Sequence, residues 1–285
     1  MKTQKNFFAL AAMTLAVTGF ASENGSSAAA DSTIKAQNAA LISATDGKGF
    51  GPQSPRDITA KVGKNARSFA AAPAYQSMNL CNIHFHANAE HKGGDFMKFA
   101  GNGNGHGGET GFVYSGKLSA AEKTKLAKDV CMGAHGGLNT GDTVELHYVH
   151  SSAQVIPGPT LGACLSESLS NPQLRVEAQV FVLVNDDKAA DFNKFVELGQ
   201  RNGYQQALNI PTNTGTPVQY AGSTTGPAYN EKGSPLQVSW SVRPKAIKVS
   251  TQSVGKWCEG NVFKEDHAHG VRNLVTEVNL LSKIK

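Results

Sequence analysis

Charge is scarce in this sequence, and long apolar runs are absent beyond its first segment. Only 17% of the 285 residues are charged, and the formal net charge is +5. No run of Lys and Arg reaches the density that contact with a phosphate backbone requires. No later segment stays apolar over the roughly 20 residues that a membrane-spanning helix needs. We therefore expect neither nucleic acid nor a membrane as a partner.

The one marked apolar run stands at the start of the chain, behind two lysines and with no acidic residue beside it. It extends from Phe7 to Phe20 in MKTQKNFFALAAMTLAVTGFA, and small residues follow at its end. A basic start, a short apolar run and a small-residue end are the features of a secretory signal peptide. We predict that residues 1–21 are this peptide, cleaved near Ala21, and that the mature protein is periplasmic or secreted.

Cysteine is also sparse, with four residues in the whole chain. An even number in an exported protein favours disulfides over thiolate metal ligands. Four cysteines allow three pairings, and the sequence does not choose among them. Our preference is Cys131–Cys164 with Cys81–Cys258, because the first pair flanks a strand and the second would tie the C-terminal region to the central sheet.

Secondary-structure signals begin late in the chain. Residues 22–75 are rich in Ala, Ser, Gly and Asn and have little apolar periodicity, which predicts a flexible N-terminal arm. Short runs of branched and aromatic residues, bounded by turn formers, then predict strands in NIHFHA, TVELHYVHSS, LRVEAQVFVLV, LQVSWSV, AIKVST and LVTEVNLL. Helices are predicted for SAAEKTKLAKDV, which opens with a capping box, and for KAADFNKFVELGQRNG.

Strands outnumber helices and do not alternate with them regularly. We therefore predict one domain over residues 76–285. Its fold class is mainly β with a few helices (α+β), built around a large, mostly antiparallel central sheet.

Histidines crowd into the run CNIHFHANAEHKGG. Side chains two residues apart in a strand face the same side, so His84 and His86 project together. The run VELHYVH offers His147 and His150, which face opposite sides, so only one of them joins the pair. Glu145 shares the face of His147, and a carboxylate beside a ligating imidazole commonly fixes that ring. Three imidazoles with one open position are typical of a catalytic zinc site, which predicts one Zn²⁺ for each chain.

These runs resemble the alpha-class carbonic anhydrases. IHFHANAEH followed by VELHYVH resembles that family's strand His-x-His, its Glu-His and its Glu-Leu-His, and YAGSTTGP resembles its Tyr-x-Gly-Ser-x-Thr-Thr-Pro loop. VSWSV is similar to the family strand with a pocket tryptophan, and IKVST continues the match. The cysteine ahead of the first histidines and the ending KWCEG…DHAHGVRNLV are closer to the delta class and related proteins. The resemblance extends over roughly residues 78–285.

The resemblance implies a fold like that of the alpha-class enzymes and a lyase activity. The reaction would be the reversible hydration of carbon dioxide to bicarbonate and a proton, through a zinc-bound hydroxide. The implied zinc ligands are His84, His86 and His147. Glu145 would orient His147, with His91 and Tyr220 as neighbours of that carboxylate.

The resemblance implies two further pairs of residues, one that orients the hydroxide and one that contacts carbon dioxide. Thr225 would accept a hydrogen bond from the hydroxide and donate its own proton to an ionised Glu90, which aims the hydroxide lone pair at carbon dioxide. Val149 and Trp240 would line the apolar pocket for the substrate.

The sequence departs from the family pattern at two places. Gly226 stands where the family has a second threonine, so Thr224 competes with Thr225 for the functional position. The histidine that usually transfers the proton has no clear counterpart, and two loop residues, His106 and His135, are the candidates for this role.

Two other functions fit parts of the same pattern. HFHANAE matches the first motif of the cupins, in which Glu90 would ligate iron or manganese, but Met78 and Met97 stand where that motif has glycine. A non-catalytic periplasmic zinc-binding protein is the second alternative, although mere binding requires no hydroxide-orienting pair. A further His-x-His, formed by His267 and His269, is interpreted as a hydrogen-bonded loop or cap.

Overall fold

The structure is a computed structural model, and it describes residues 28–134, 136–223, 229, 231–234, 236–273 and 275–284. The predicted signal peptide lies outside these residues, and so do Thr224, Thr225, Gly226 and His135. No helix within the described ranges has the length and apolarity to cross a membrane.

Strands dominate the described chain. In chain order they are β1 (Asn79–Ala87), β2 (Lys98–Phe99), β3 (Phe112–Val113), β4 (Val130–Gly133), β5 (Gly136–Leu138), β6 (Thr143–Ser151), β7 (Leu174–Val184), β8 (Leu198–Arg201), β9 (Tyr204–Ala207), β10 (Val218–Gly222), β11 (Val238–Val242) and β12 (Ile247–Ser250). The helices are α1 (Asp31–Thr45), α2 (Phe192–Phe195) and α3 (Thr251–Cys258), and short 3-10 turns cover Tyr75–Ser77 and Leu161–Cys164. The predicted mainly β class with few helices is confirmed.

A six-stranded sheet organises the molecule in the order β1-β6-β7-β11-β10, and β12 pairs with the far end of β7. Three of its pairings are antiparallel, whereas β11 and β12 both run parallel to β7. The sheet is therefore mixed. β7 alternates apolar and polar residues as far as Gln179 and is continuously apolar from Val180 to Val184. It is buried along almost its whole length, as expected for a strand that is covered on both faces.

The alternation of side chains along β1 and β6 separates two hydrophobic clusters, one on each face of the sheet. Phe85, Leu146 and Tyr148 point to one face, where they pack with the aromatic residues of α2 and α3. The opposite face carries the histidines and an apolar cluster that includes Val149 and Trp240. Because both faces are buried, the histidine side of the sheet lies inside the protein.

Several predicted elements are wrong. Ser119 and Glu122 form the reciprocal contacts of a capping box, at 2.7 and 3.2 Å, but only a turn follows, since the segment has no apolar face to bury. The second predicted helix is reduced to α2 and continues into the β8–β9 hairpin. Asn202 and Gly203 turn this hairpin with φ of 53° and 82°, a signal that the helical periodicity concealed.

The end of the chain also differs from the prediction. LVTEVNLL contains no strand among its described residues. Instead, Val275, Leu280 and Leu281 pack against Leu41 of α1. The predicted arm therefore contains a helix whose Leu41 packs on this segment, and the end of the chain buries its apolar residues without forming a strand.

The expected disulfide pairing is wrong as well. The bonds are Cys81–Cys164 and Cys131–Cys258, with Cα–Cα distances of 4.9 and 5.4 Å. The 3-10 turn at Leu161–Cys164 packs on β1, and α3 packs on β4, so each cysteine meets the neighbour that the tertiary packing provides. Sequence spacing carried no information about these contacts.

Candidate metal centre

Three histidines converge on one point from the edge strand β1 and its antiparallel neighbour β6. The register of β1 and β6 places His84 directly opposite His147, and His86 opposite Glu145. One ring nitrogen from each of His84, His86 and His147 lies within 4.8 Å of the others. The structure therefore brings together the three histidines that the resemblance implied as zinc ligands.

The protonation of His147 is set by a buried carboxylate. Its Nε2 donates to Glu145 Oε1 at 2.9 Å, which leaves the Nδ1 lone pair facing His84. Burial by itself would raise the pKa of Glu145, but the contacts with His91 and His147 hold this pKa well below its ordinary value. The ionised carboxylate accepts hydrogen bonds only, so the ring presents an acceptor nitrogen to the centre of the site.

His84 is oriented by a neutral partner. Its Nδ1 donates to the side-chain oxygen of Asn82 at 2.7 Å, and the amide of Asn82 in turn donates to the Gly158 carbonyl at 3.1 Å. This arrangement leaves Nε2 of His84 facing Nδ1 of His147, at 3.3 Å. Burial, followed by the neighbouring imidazoles, lowers the pKa of His84 well below its ordinary value. The neutral form is the one that can bind a metal.

His86 is the least constrained of the three by hydrogen bonds. Its Nδ1 is buried without a partner, and its Nε2 lies 3.6 Å from Glu90 Oε2. Burial lowers the pKa of His86 to about 3, so this ring is neutral near neutral pH.

A chain of hydrogen bonds continues outward from Glu145. His91 Nδ1 donates to Glu145 Oε1 at 2.6 Å, and its backbone N–H donates to Oε2 at 3.0 Å. The Tyr220 hydroxyl lies 2.6 Å from His91 Nε2 and 2.5 Å from the Ser54 hydroxyl. His91 and Tyr220 thus lie where the resemblance placed them. Ser54 was missed, because it lies in the arm, where no periodicity marked it.

Glu90 lies beside the three histidines but belongs to neither of the candidate ligand groups found among the described residues. Its Oε1 lies 3.4 Å from Arg56 Nε, and both side chains are buried. Burial would raise the pKa of Glu90, whereas Arg56 and then His86 lower it, and the net effect is a pKa well below the ordinary value. This carboxylate is ionised and held by an arginine, in contrast to the ligand role of the cupin alternative.

A cavity of about 430 Å³ opens onto the histidines. Val149 and Trp240 form part of its apolar wall, and the Trp240 ring centroid lies 5.1 Å from that of His147. Glu90 and the exposed His106 also line this cavity. The predicted substrate-pocket residues and one of the two predicted proton-transfer residues therefore line the same cavity as the three histidines.

The second His-x-His lies at the rim of the same cavity. The backbone of His269 pairs with β1 through two bonds of 2.8 Å, and its Nε2 contacts Glu265 at 2.8 Å. His267 Nδ1 contacts Asp266 at 2.5 Å. The prediction of a hydrogen-bonded loop agrees with these contacts. Its position on the cavity was not predicted, because no sequence pattern indicates that the loop pairs with β1.

A family model described as delta carbonic anhydrase matches residues 75–253. Because this match spans more than half of the chain, the chain belongs to the delta carbonic anhydrase family. The protein is a carbonic anhydrase, an enzyme of carbon dioxide hydration whose substrates are carbon dioxide and bicarbonate. Carbonic anhydrases use zinc, and the histidine cluster is a candidate site for it. No curated protein matches the sequence.

Solved structures share only a distant likeness with this chain. An alpha-carbonic anhydrase from Thermovibrio ammonificans, in complex with sulfanilamide, is 17% identical over 82% of this chain and 86% of that chain, with a TM-score of 0.29. A halotolerant carbonic anhydrase from Dunaliella salina is 12% identical over 87% and 95%, with a TM-score of 0.33. TM-scores this low do not define a shared fold, so the family assignment is based on the sequence match.

Proposed function

We propose that this carbonic anhydrase is an exported zinc enzyme whose metal is held by His84, His86 and His147. The observation that carries the proposal is the convergence of three imidazole nitrogens within 4.8 Å. Asn82 and Glu145 occupy the outer nitrogens of two of the rings, so the inner nitrogens are available as acceptors. When bound there, zinc would supply the Lewis acidity that makes hydroxide available from water near neutral pH.

Glu90 and Thr225 are the proposed orienting pair. Glu90 is a buried, ionised carboxylate that borders the cavity, and an ionised carboxylate accepts the proton of a nearby hydroxyl in a hydrogen bond. Thr225 would donate to it and would accept from the attacking hydroxide, which leaves a lone pair directed at the carbon of the substrate. Thr224 is the alternative at this position.

The apolar wall with Val149 and Trp240 suits carbon dioxide, which has no net charge or dipole and gains little from polar contacts. The product proton must leave a buried site, and His106 is proposed as an acceptor because it is both exposed and on the cavity. His135 remains the second candidate for this transfer.

Export is proposed from the first 21 residues and is supported by the cysteines. All four form disulfides, which persist in oxidising compartments such as the periplasm or the extracellular medium. We propose that the mature chain begins near residue 22 and acts in one of these compartments.

The proposal is tested by a pair of variants on one strand. His147→Ala removes a proposed ligand, and His150→Ala removes a buried histidine from the opposite face of β6. We expect His147→Ala to lose both zinc and the hydration of carbon dioxide, measured by metal analysis and stopped-flow pH indicator assays. His150→Ala should keep zinc at one ion per folded chain. Full activity with normal zinc content in His147→Ala would refute the ligand assignment.

A further inference from the structure

Arg56 is a strained and deeply buried residue in the arm. Its side chain is only 1% exposed, and its φ is 58°, a left-handed conformation that is unfavourable for any residue with a side chain. Burial of a guanidinium group is unfavourable unless a carboxylate and hydrogen-bond acceptors surround it. Strain and burial of this kind persist only where the surrounding structure requires them, and they concentrate at functional sites.

The contacts of Arg56 lead to the carboxylate beside the metal centre. Its Nε lies 3.4 Å from Glu90 Oε1, and its Nη1 donates to the backbone carbonyls of Glu90 and Arg272 at 3.3 and 3.4 Å. The main chain of Arg56 is fixed on both sides: its N–H donates to the Ser54 hydroxyl at 3.3 Å, and its carbonyl accepts from the Lys92 N–H at 2.7 Å. Arg56 therefore contacts both the carboxylate and the backbone carbonyl of Glu90.

The two oxygens of Glu90 have different surroundings. Oε1 faces Arg56, whereas Oε2 lies 3.6 Å from His86 Nε2, on the side of the cavity that Glu90 lines. A carboxylate without the arginine could rotate, and Oε2 would no longer hold a fixed direction relative to the ligands. The guanidinium thus determines which oxygen is presented to the site.

We propose that Arg56 is a positioning residue that holds Glu90 in its productive orientation, and that this part of the arm belongs to the active site. The inference depends on the proposed role of Glu90. Arg56 is not among the described residues that line the cavity, and its guanidinium contacts the Glu90 carboxylate directly, so we expect its effect on the site to pass through Glu90. Loss of an outer partner of this kind typically lowers activity by about 10- to 100-fold.

The chain offers a matched control. Arg243 is also buried, and its Nη2 lies 3.5 Å from Glu177 Oε2, a carboxylate that is not among the described residues lining the cavity. Arg56→Met and Arg243→Met each remove one buried guanidinium from one buried carboxylate. We expect Arg56→Met to keep zinc and KM but to lose about 10- to 100-fold in kcat. Arg243→Met should keep kcat, whatever it does to the thermal midpoint.

Arg56→Gly provides a second test, which does not require the fold to accommodate a buried methionine side chain. Glycine adopts a φ of 58° without strain and leaves room for a small ion. Guanidinium added below denaturing concentrations should restore part of the lost kcat in Arg56→Gly and should have no such effect on Arg243→Gly. A folded, zinc-loaded Arg56→Gly enzyme with wild-type kcat would overturn the inference.

A double-mutant cycle separates this inference from the proposed function. Glu90→Gln should lower kcat. Adding Arg56→Met to the Glu90→Gln variant should lower kcat little further, because both substitutions act through the same carboxylate. Wild-type kcat in Glu90→Gln would refute the role of Glu90 itself. A low kcat in Glu90→Gln with a normal kcat in Arg56→Met, or fully multiplicative losses in the double variant, would refute the role of Arg56 alone.

Discussion

Two His-x-His pairs border the same cavity, and only one of them has the surroundings of a metal site. His84 and His86 lie on a strand opposite a third histidine, and burial keeps their pKa values below the ordinary range. His267 and His269 lie on a partly exposed loop, where the contact with Glu265 raises the pKa of His269. Both pairs thus have the same spacing. They differ because only His84 and His86 lie opposite a third histidine on a paired strand, and because only their rings are buried enough for both pKa values to be lowered.

The largest effect expected from this comparison is on metal binding. His86→Ala and His269→Ala each delete the second histidine of a pair. His86→Ala should lose zinc affinity by well over the roughly 10- to 100-fold typical of an outer partner, and activity with it. His269→Ala should retain one zinc for each chain. Competition with a chelator of known affinity measures zinc binding in both variants. Equal losses of zinc affinity would contradict the assignment of the metal site to His84 and His86 and not to His267 and His269.

A smaller effect on zinc affinity is expected from the carboxylates that contact the histidines, Glu145 at His147 and Glu265 at His269. Glu145→Gln keeps the size of the side chain but removes the charge that fixes the His147 tautomer, so zinc affinity should fall by about 10- to 100-fold. Glu265→Gln alters only the partner of His269 and should leave zinc affinity unchanged. The same chelator competition applies. A Glu145→Gln protein with wild-type affinity would exclude the proposed orienting role.

The smallest effect concerns stability and a histidine on the other face of β6. Burial lowers the pKa of His150 to about 3, below the value of about 6.5 in an unfolded chain. Between these values the unfolded state binds the extra proton, so stability falls as the pH decreases from about 6.5 toward 3. The slope for one group is at most about 1.4 kcal/mol for each pH unit.

His150→Leu should lack this contribution. Urea unfolding at pH 7.5 and pH 5, with disulfides intact, should show a smaller loss of stability in His150→Leu than in the parent protein. An identical loss in both proteins would mean that His150 is not neutral in the folded state.

The inner part of the site could be predicted from the sequence because it depends on local geometry. A period of two is enough to place His84 and His86 on one face of β1, and Glu145 and His147 on one face of β6. The choice of His147 over His150 came from the family resemblance. The register that brings the two strands opposite each other depends on contacts distant in sequence. It was inferred from the resemblance to the motifs of a known family.

The outer part of the site could not be predicted, because it depends on contacts across the whole chain. Ser54 and Arg56 lie in a segment without apolar periodicity, and Ser54 meets a tyrosine 166 positions away. The disulfide partners follow the packing of a 3-10 turn on β1 and of α3 on β4, which no spacing encodes. The helix predicted from the Ser119–Glu122 capping box failed because a cap without an apolar face does not sustain a helix.

X-ray absorption spectroscopy of the zinc-loaded protein tests the central claim most directly. We predict three imidazole nitrogens and one oxygen ligand at about 2.0–2.1 Å, with the imidazole signal reduced in His84→Ala that is loaded at saturating zinc. A six-coordinate, carboxylate-containing shell, or an imidazole signal that is unchanged in His84→Ala, would contradict it.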